Sequence, residues 1–357
     1  MLEKFIRQLA AAEPLSEEQV GSAVEQLVDE HVSTPTKADF LAQLARKGET
    51  VEEIAAFARV LRARSIQPVL DSEIRMREIL DVVGTGGDRL GTFNISTTAA
   101  IICAAAGVTV AKHGNRAATS QSGSADVLEA LGVPITLPPH QAVQSLRDLG
   151  FAFFFAPNYH PAFKYVAPAR KLCADRGQRT IFNYLGPLLN PARPSAILLG
   201  VSRLELCESI ARVLQSLGVG RAMVVCGKVQ IQTLDADSSM SEPRALDELS
   251  TLGENTIAEF YHEHGFTASV LATDHFPLQR ATLSDLAGGD RQANARIVRA
   301  ILGGLDGGPK RDAILLNTAA ALMVAGRART MVEGWDLAAS VIDSGAALQK
   351  LNALVRA

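Results

Sequence analysis

The sequence lacks several features that would define its class at once. It has only four cysteines in 357 residues, at positions 103, 173, 207 and 226, and none of them form a Cys-x-x-Cys pair. This spacing indicates buried or incidental thiols in a reducing compartment, not a disulfide framework or a zinc site. No apolar run reaches the length that crosses a bilayer, and residues 1–19 carry acids where a secretory signal would not. We therefore expect a cytoplasmic protein with no membrane contact.

A strong excess of one charge is also missing. The chain has 35 Lys and Arg against 38 Asp and Glu, for a net charge of −3. A general nucleic-acid binder usually carries a basic bias, so this class is disfavoured. Hydrophobic residues make up 47% and charged residues 20% of the chain. With this length and composition we expect about two domains and a substantial buried core.

The first part of the chain, residues 1–72, is predicted to be a small all-helical domain. Leu2, Phe5, Ile6 and Leu9 recur at helical spacing. Capping boxes at Ser16–Gln19 and Thr50–Glu53 open further helices. A helix beginning near Thr36 is expected to end at Gly48. This part holds no evident chemistry.

Residues 73–357 have the pattern of an α/β domain. Five short apolar segments are predicted strands: EILDVV, VTVAK, FAFFFA, AILLGV and AMVVCG. Helical patterns lie between or after them, at 97–106, 124–131, 139–149 and 204–217. The alternation predicts a mainly parallel central sheet covered on both faces. Ligands in such sheets bind outside the carboxyl ends of the strands.

A glycine cluster, GTGGD at residues 84–88, follows the first predicted strand. Glycine lets backbone N–H groups approach an anion closely, and the N-terminus of the next helix adds a partial positive charge. Ser96 and Thr97 add hydroxyl groups for an anion or a metal. The cluster is neither G-x-G-x-x-G nor a P-loop, and taken alone it is equally compatible with a structural turn.

A second cluster, residues 111–132 (AKHGNRAATSQSGSADVLEALG), follows the next strand and should end at the same sheet edge. It carries Lys112, His113 and Arg116, with Ser124 predicted as the N-cap of the following helix. Each residue alone has an ordinary structural explanation. Two Gly/Ser-rich segments at one edge favour a phosphate-rich ligand.

Two further segments contribute charged groups. In residues 158–191, Arg170 and Arg179 are candidates for binding a carboxylate, because a guanidinium grips one with two bonds. Asp247 and Glu248 lie side by side in ALDELS. Adjacent acids commonly mark a solvated helix start, but beside a phosphate-rich ligand they suit Mg²⁺, which favours oxygen ligands.

Taken together, these motifs resemble the anthranilate phosphoribosyltransferase family, within the nucleoside phosphorylase/phosphoribosyltransferase class. The resemblance covers nearly the whole chain in order. It rests on GTGGD, NIST, KHGNR, SGSADVLEALG, HPAFKYVAPAR, RTIFNYLGPLLNPA, the acid pair of LDELS, and the C-terminal LLNTAAALMVAGRA and IDSGAALQKL.

The resemblance implies a helical domain, with a contribution from about 165–190, beside the α/β domain. It implies a homodimer formed through the helical part, a possible contact with anthranilate synthase, and small-molecule substrates. The implied reaction transfers the phosphoribosyl group of phosphoribosyl pyrophosphate to anthranilate, in tryptophan biosynthesis. Because the chemistry depends on charge stabilisation and positioning, no catalytic nucleophile or base is expected; His113 and His160 are weak candidates for a proton relay.

The resemblance also implies site residues. Those for phosphoribosyl pyrophosphate are Gly84, Gly87, Asp88, Thr92, Asn94, Ser96, Thr97, Lys112, His113, Gly114, Asn115, Arg116, Ser120 and Ser124. Those for anthranilate are Gly84, Asn115, His160 and Arg170. The implied cofactor is Mg²⁺, held by Ser96, Asp247 and Glu248.

Three features depart from the family pattern. Residues 228–245 form an insertion, which we interpret as an extended surface loop; the alternatives are that it covers the site or displaces it. The segment DELSTLGENT lacks the family's proline–threonine step, and Gln121 stands where a lysine is frequent. The insertion and the missing proline–threonine step both lie next to the acid pair and therefore concern the metal site. Gln121 removes one positive charge near the phosphates and therefore concerns substrate affinity.

Two rival interpretations remain. A pyrimidine nucleoside phosphorylase shares the two-domain plan, but KHGNR and Arg170 favour the transferase, and the lysine–serine phosphate motif of the phosphorylase is missing. A non-enzymatic nucleic-acid-binding relative should have lost GTGGD or KHGNR and gained a basic face. The sequence shows neither change.

Overall fold

The computed structural model describes residues 2–117, 121–229, 244–262 and 264–357. Helices form the N-terminal part: α1 (Leu2–Ala10), α2 (Glu17–Val28), α3 (Thr34–Lys47), α4 (Val51–Ala63) and α5 (Ser72–Arg75). Both predicted capping boxes are confirmed, at Ser16–Gln19 and Thr50–Glu53. Helix α3 starts two residues before Thr36 and ends at Gly48, whose φ of 85° suits glycine.

Strands and helices then alternate as far as the fifth strand. The elements are β1 (Ile79–Gly84), α6 (Ile95–Ala105), β2 (Thr109–Gly114), α7 (Ser124–Leu131), α8 (Pro139–Leu149), β3 (Phe151–Phe155), α9 (Ala156–Tyr159), α10 (Ala167–Asp175), α11 (Phe182–Leu185), β4 (Ala196–Gly200), α12 (Leu206–Ser216) and β5 (Arg221–Val229). The five predicted strands are confirmed. Helix α7 begins at Ser124 with Gly123 as its N-cap, so the prediction of Ser124 as N-cap was wrong by one residue.

The last part adds three strands and four helices: β6 (Arg244–Leu246), β7 (Asn255–Tyr261), β8 (His264–Leu271), α13 (Arg291–Leu302), α14 (Pro309–Val324), α15 (Met331–Asp343) and α16 (Ala346–Val355). Short 3₁₀ turns lie at Pro161–Tyr165, Gly186–Leu189 and Leu283–Leu286. None of the helices in the described ranges is long and apolar enough to span a membrane.

The described strands form one sheet in the order β3-β2-β1-β4-β5-β7-β8, with β6 also paired to β5. Strands β1 to β5 are parallel, and β6, β7 and β8 join antiparallel. The prediction of a mainly parallel sheet is confirmed. The antiparallel extension was not predicted.

Both faces of the sheet are buried, as a parallel sheet requires. On β4, Leu198 faces a core shared with α6, α13 and α14, whereas Ile197 and Leu199 face a second core. The second core joins the sheet to α1–α4 and to residues 166–189. Burial on both faces fixes the strand register, so the carboxyl ends at Gly84, Gly114 and Gly200 lie along one edge.

Candidate active site

The glycine loop after β1 presents open backbone at this edge. Gly86 and Gly87 have φ of 72° and 85°, in the left-handed region that favours glycine. No neighbouring atom lies within 4 Å of where a Cβ would stand at either residue. The amide of Thr85 donates to the carbonyl of Gly200 at 2.9 Å, which ties the loop to β4. The loop therefore has free space beside the backbone of Gly86 and Gly87.

The acid pair lies directly against this loop. Asp247 Oδ2 accepts from the Gly86 amide at 2.5 Å, and Glu248 Oε1 accepts from the Ser96 amide at 3.2 Å. A Cβ on Gly84 would stand 2.5 Å from Asp247 Oδ2. The structure thus brings Gly84, Ser96, Asp247 and Glu248 together, as the sequence predicted.

The electrostatics of the pair are those of crowded, buried carboxyls. Burial, and then the charges of Asp88 and Glu248, raise the pKa of Asp247 well above its usual range. Burial raises the pKa of Glu248 to about 7, against the opposing effect of the Lys112 charge. Like charges at close range disfavour ionisation, and a bound cation reverses that effect.

This donor set fits a magnesium ion. Within the described ranges, no three His, Cys, Asp or Glu side chains converge to hold a metal unaided. Mg²⁺ commonly takes one or two protein carboxylates and completes its shell with water and substrate phosphate oxygens. Asp247 and Glu248, with the Ser96 hydroxyl that bonds Glu248, supply that partial set.

Lys112 lies beneath the acid pair rather than on the surface. It is fully buried, its Nζ donates to the Val82 carbonyl, and the charges of Asp81 and Glu248 both act on it. Burial lowers the pKa of Lys112, and the two carboxylates oppose that shift. Lys112 therefore places a positive charge under the site.

Sequence reasoning missed Asp81 and Asn190. Asp81 is fully buried in β1, and Asn190 Nδ2 donates to its Oδ2 at 2.8 Å and to the Ala111 carbonyl at 2.7 Å. Burial raises the pKa of Asp81 to about 6 despite the Lys112 charge. The available signal was an acid inside the apolar strand EILDVV, where a charge needs a buried partner.

The KHGNR loop packs tightly against the start of α7. A Cβ on Gly114 would stand 2.2 Å from Ser124 Oγ, and Ser124 Oγ donates to the Asn115 carbonyl at 3.3 Å. Arg116 pairs with both oxygens of Glu129 at 2.9 Å and with Asp126 at 3.0 Å. Its guanidinium is thus engaged by α7. Ser120 lies outside the described residues.

Neutral groups line the start of α6. Asn94 Nδ2 donates to the Ser122 carbonyl at 3.1 Å, and Asn94 Oδ1 accepts from Asn294 at 2.9 Å. Thr92 forms an isolated antiparallel β-bridge with Ala287. The buried Thr97 hydroxyl has no hydrogen-bond partner among the described residues. Asn294 is a third residue that the sequence did not single out.

A row of rings leads from β2 to Arg170. His113 and His160 meet edge to face at 5.4 Å, His160 stacks on Phe163 at 5.1 Å, and Phe163 meets Phe182 at 5.7 Å. The Arg170 guanidinium lies 5.2 Å from the Phe182 ring. The exposed Arg170 makes no ion pair within the described residues. The row suits an aromatic ligand that carries a carboxylate.

Both histidines of the row are held neutral. Burial lowers the pKa of His113 to about 3 and that of His160 to about 4. His160 Nε2 is 3.0 Å from the Leu189 carbonyl, so the neutral ring donates there. These contacts favour a packing role over a proton relay.

Comparison with known proteins identifies the family of the chain. A family model described as "Glycosyl transferase family, a/b domain" matches residues 76–348, and one described as "Glycosyl transferase family, helical bundle domain" matches residues 3–65. The chain is 42% identical over 355 residues to the anthranilate phosphoribosyltransferase of Lacticaseibacillus paracasei, covering 99% of this chain and 97% of that protein.

Solved structures give the same result. The crystal structure of anthranilate phosphoribosyltransferase from Thermus thermophilus matches with a TM-score of 0.83, 40% identity and 99% coverage of both chains. The Saccharomyces cerevisiae enzyme in complex with phosphoribosyl pyrophosphate and Mg matches with a TM-score of 0.84 and 28% identity, covering 99% of this chain and 97% of that one. The chain therefore belongs to the anthranilate phosphoribosyltransferase family.

Proposed function

We propose that this chain transfers the phosphoribosyl group of phosphoribosyl pyrophosphate to anthranilate, giving N-(5-phosphoribosyl)anthranilate and pyrophosphate, as a step in tryptophan biosynthesis. The observation that carries the proposal is the convergence of three segments at one sheet edge. These are the open glycine loop, the acid pair against it, and the KHGNR loop. The names of the relatives support both substrates.

Phosphoribosyl pyrophosphate binds across this edge. Backbone amides of the glycine loop and the N-terminus of α6 face its phosphates, and Lys112 adds charge from beneath. The proposed contacts are Gly84, Gly87, Asp88, Thr92, Asn94, Ser96, Thr97, Lys112, His113, Gly114, Asn115, Arg116, Ser120 and Ser124. To contact the ligand, Arg116 gives up its ion pairs with Asp126 and Glu129 of α7.

Magnesium is the proposed cofactor, held by Ser96, Asp247 and Glu248. When bound, it supplies positive charge against the departing pyrophosphate. The yeast relative solved with phosphoribosyl pyrophosphate and Mg supports this assignment. The like-charge crowding of Asp88, Asp247 and Glu248 supports it independently.

Anthranilate binds beside the row of rings that leads from β2 to Arg170. Arg170 takes its carboxylate, His160 and its ring neighbours pack beside the acceptor, and Gly84 and Asn115 complete the proposed subsite. A solved yeast relative in complex with 4-fluoroanthranilate, at 26% identity and a TM-score of 0.82, supports the acceptor class.

The reaction breaks the bond from ribose C1 to the pyrophosphate oxygen and forms a bond from C1 to the anthranilate nitrogen. That nitrogen releases one proton to water. The amine is a neutral nucleophile before the step, so positioning and charge stabilisation carry the rate. The neutral, buried state of His113 and His160 is compatible with a reaction that uses no strong base.

We also propose that the chain acts in the cytoplasm as a homodimer through its helical N-terminal part. The dimer is proposed from the resemblance to the family. Contact with anthranilate synthase is a further proposal. Light scattering that gives a monomer mass at micromolar concentration would overturn the dimer.

The experiment follows the loss of anthranilate fluorescence with phosphoribosyl pyrophosphate and Mg²⁺. Arg170→Ala is expected to raise the KM for anthranilate by on the order of tenfold or more, because a charge-assisted pair contributes about 1.5–3 kcal/mol. Arg179→Ala, an exposed arginine of the same segment, is the matched control and should keep the wild-type KM. Equal effects of both variants would contradict the assignment of Arg170.

A further inference from the structure

Two buried asparagines hold the backbone immediately after the acid pair. Asn317 lies in the middle of α14 and is fully buried. Its Oδ1 accepts from the Leu249 amide at 2.9 Å, and its Nδ2 donates to the Leu249 carbonyl at 2.9 Å. The same Nδ2 also donates to Ala313 of its own helix at 2.9 Å. One side chain thus satisfies both polar backbone groups of Leu249.

Asn255 does the same for the next residue. It is the first residue of β7 and is fully buried. Its Oδ1 accepts from the Ser250 amide at 2.6 Å, and its Nδ2 donates to the Ser250 carbonyl at 3.0 Å. Leu249 is therefore fixed by a helix 68 residues further along the chain, and Ser250 by a residue five positions further along. We call this pair of asparagines the amide clamp.

The backbone of the acid pair has no room to move on its other side. A Cβ on Gly200 would stand 1.6 Å from the Asp247 carbonyl oxygen, and one on Gly227 would stand 2.6 Å from the Glu248 carbonyl oxygen. The main chain of both acids thus packs against Gly200 and Gly227, and the amide clamp holds the two residues that follow. Their carboxylates leave this fixed backbone towards Gly86 and Ser96.

Only a carboxamide of this length offers a donor and an acceptor at the spacing of a backbone N–H and C=O. A carboxylate at position 317 would face the Leu249 carbonyl without a donor, and a serine would be too short to reach both groups. Together the two asparagines bond all four polar backbone groups of Leu249 and Ser250, so the chain directly after the acid pair is held at both residues.

We infer that Asn317 and Asn255 are positioning residues for Asp247 and Glu248, and that the amide clamp sets how well these carboxylates hold Mg²⁺ together with phosphoribosyl pyrophosphate. This inference rests on the proposed function. It assigns a role to the motif LLNTAAALM, which the substrate contacts leave without one.

The test measures calorimetric binding of phosphoribosyl pyrophosphate over a Mg²⁺ series, and hydrogen exchange of residues 247–250 in the free protein. Asn317→Ser is expected to raise the Mg²⁺ concentration for half-saturation by about tenfold, the range found for partners that orient metal ligands. It should also speed exchange at 247–250 while leaving metal-free binding unchanged. Asn255→Ser should act in the same direction.

The matched control is Leu316→Ala, a fully buried neighbour on α14 that lowers stability without touching the amide clamp. If the asparagine variants melt earlier but keep the wild-type Mg²⁺ dependence, or if Leu316→Ala shifts it equally, the inference is overturned. If Asn317→Ser does not fold, Asn255→Ser decides. A wild-type protein without Mg²⁺-dependent binding would instead overturn the proposed function, and the inference with it.

Discussion

At the scale of single residues, the site depends on glycines that let other groups come close. Gly84, Gly114 and Gly200 end three parallel strands, and a Cβ on any of them would overlap an acid or a hydroxyl that the site uses. Gly86 and Gly87 serve a different purpose, since their left-handed φ shapes the loop while their surroundings stay open. The glycines at the strand ends thus allow close packing, and Gly86 and Gly87 allow the conformation of the loop.

Gly200→Ala is predicted to reduce kcat/KM by on the order of a hundredfold. The added methyl forces the Asp247 backbone away by about an ångström, and misplacement of that size costs this much in other active sites. Steady-state fluorescence kinetics give the comparison. Gly21→Ala is the control, because Gly21 lies in α2 with nothing within 4 Å; it should keep full activity and melt slightly higher. Normal activity in Gly200→Ala would refute the close approach.

His160 is predicted to make stability fall in mild acid. The pKa of His160 is about 4 in the folded protein, below the unfolded value of 6.5. The stability that the neutral ring contributes is therefore fully present above pH 6.5 and is lost as the pH falls towards 4. His160→Gln keeps a donor for the Leu189 carbonyl but does not titrate. Between pH 7 and 4, the wild type should lose about 3 kcal/mol more unfolding free energy than the variant.

Urea unfolding at several pH values measures this difference. The raised pKa of Asp81 has the opposite effect, because the stability that it contributes is lost as the pH rises through about 6. Asp81 is present in both proteins, so its effect does not separate them. Parallel pH profiles for wild type and His160→Gln would show that the ring is not held neutral.

The sequence predicted the polar residues of the site better than their surroundings. Gly84, Asp247 and Glu248 were placed by motif and meet in the structure. Asp81, Asn190 and Asn317 were not, because their partners include backbone groups or side chains more than sixty residues away. A buried asparagine in an apolar helix is visible in the sequence, but what it binds depends on the tertiary fold.

At the scale of elements, residues 116, 117 and 123, which lie between β2 and α7, all bond to one acid of that helix. Asp126 Oδ2 accepts from the amides of Ala117 and Gly123, both at 2.9 Å, and its Oδ1 pairs with Arg116. Asp126 is thus the third helical residue bonding back to the N-cap, and it also holds the loop that precedes it.

Asp126→Ala is predicted to raise the KM for phosphoribosyl pyrophosphate by on the order of tenfold, because two backbone amides lose their shared acceptor and the KHGNR loop loosens. Kinetics at saturating anthranilate measure it. Glu129→Ala is the control: it removes an exposed ion pair of Arg116, which is screened by solvent and contributes little, but leaves both amides bonded. A larger effect from Glu129→Ala would show that the ion pair, not the loop, matters.

Strands that are largely apolar were predictable wherever they lie in the sheet, and strands of more mixed composition were not. FAFFFA and AILLGV read as strands because every position is apolar. NTIAEFY of β7 mixes apolar and polar residues, as expected where one face is covered and the other is only partly so. The insertion joins β5 to β6, which pair antiparallel from Gly227–Leu246 to Val229–Arg244; residues 230–243, and with them its role, lie outside the described ranges.

At the scale of the whole molecule, one sheet connects the helical part to the site. The core on one side contains α1–α4 and residues 166–189, the segment that carries Arg170. The core on the other side contains α6 and α14, which carry Ser96 and Asn317. The division at residue 72 stays a prediction, because the second core is continuous across it.

Ligand binding is predicted to stabilise the whole chain only when the metal is present. Phosphoribosyl pyrophosphate with Mg²⁺ at a hundred times its Kd should add about 2.7 kcal/mol, seen as a higher melting temperature by scanning fluorimetry. With chelator the shift should largely disappear. An equal shift with and without Mg²⁺ would contradict the assignment of Asp247 and Glu248 as metal ligands.

The most direct test of the central claim is the product itself. Purified protein, phosphoribosyl pyrophosphate, anthranilate and Mg²⁺ are incubated, and mass spectrometry follows the adduct while pyrophosphate is counted in parallel. The account predicts N-(5-phosphoribosyl)anthranilate and pyrophosphate in equal amounts, with neither formed by Asp247→Ala. Pyrophosphate release without the anthranilate adduct would contradict it, and would assign the site to a different acceptor.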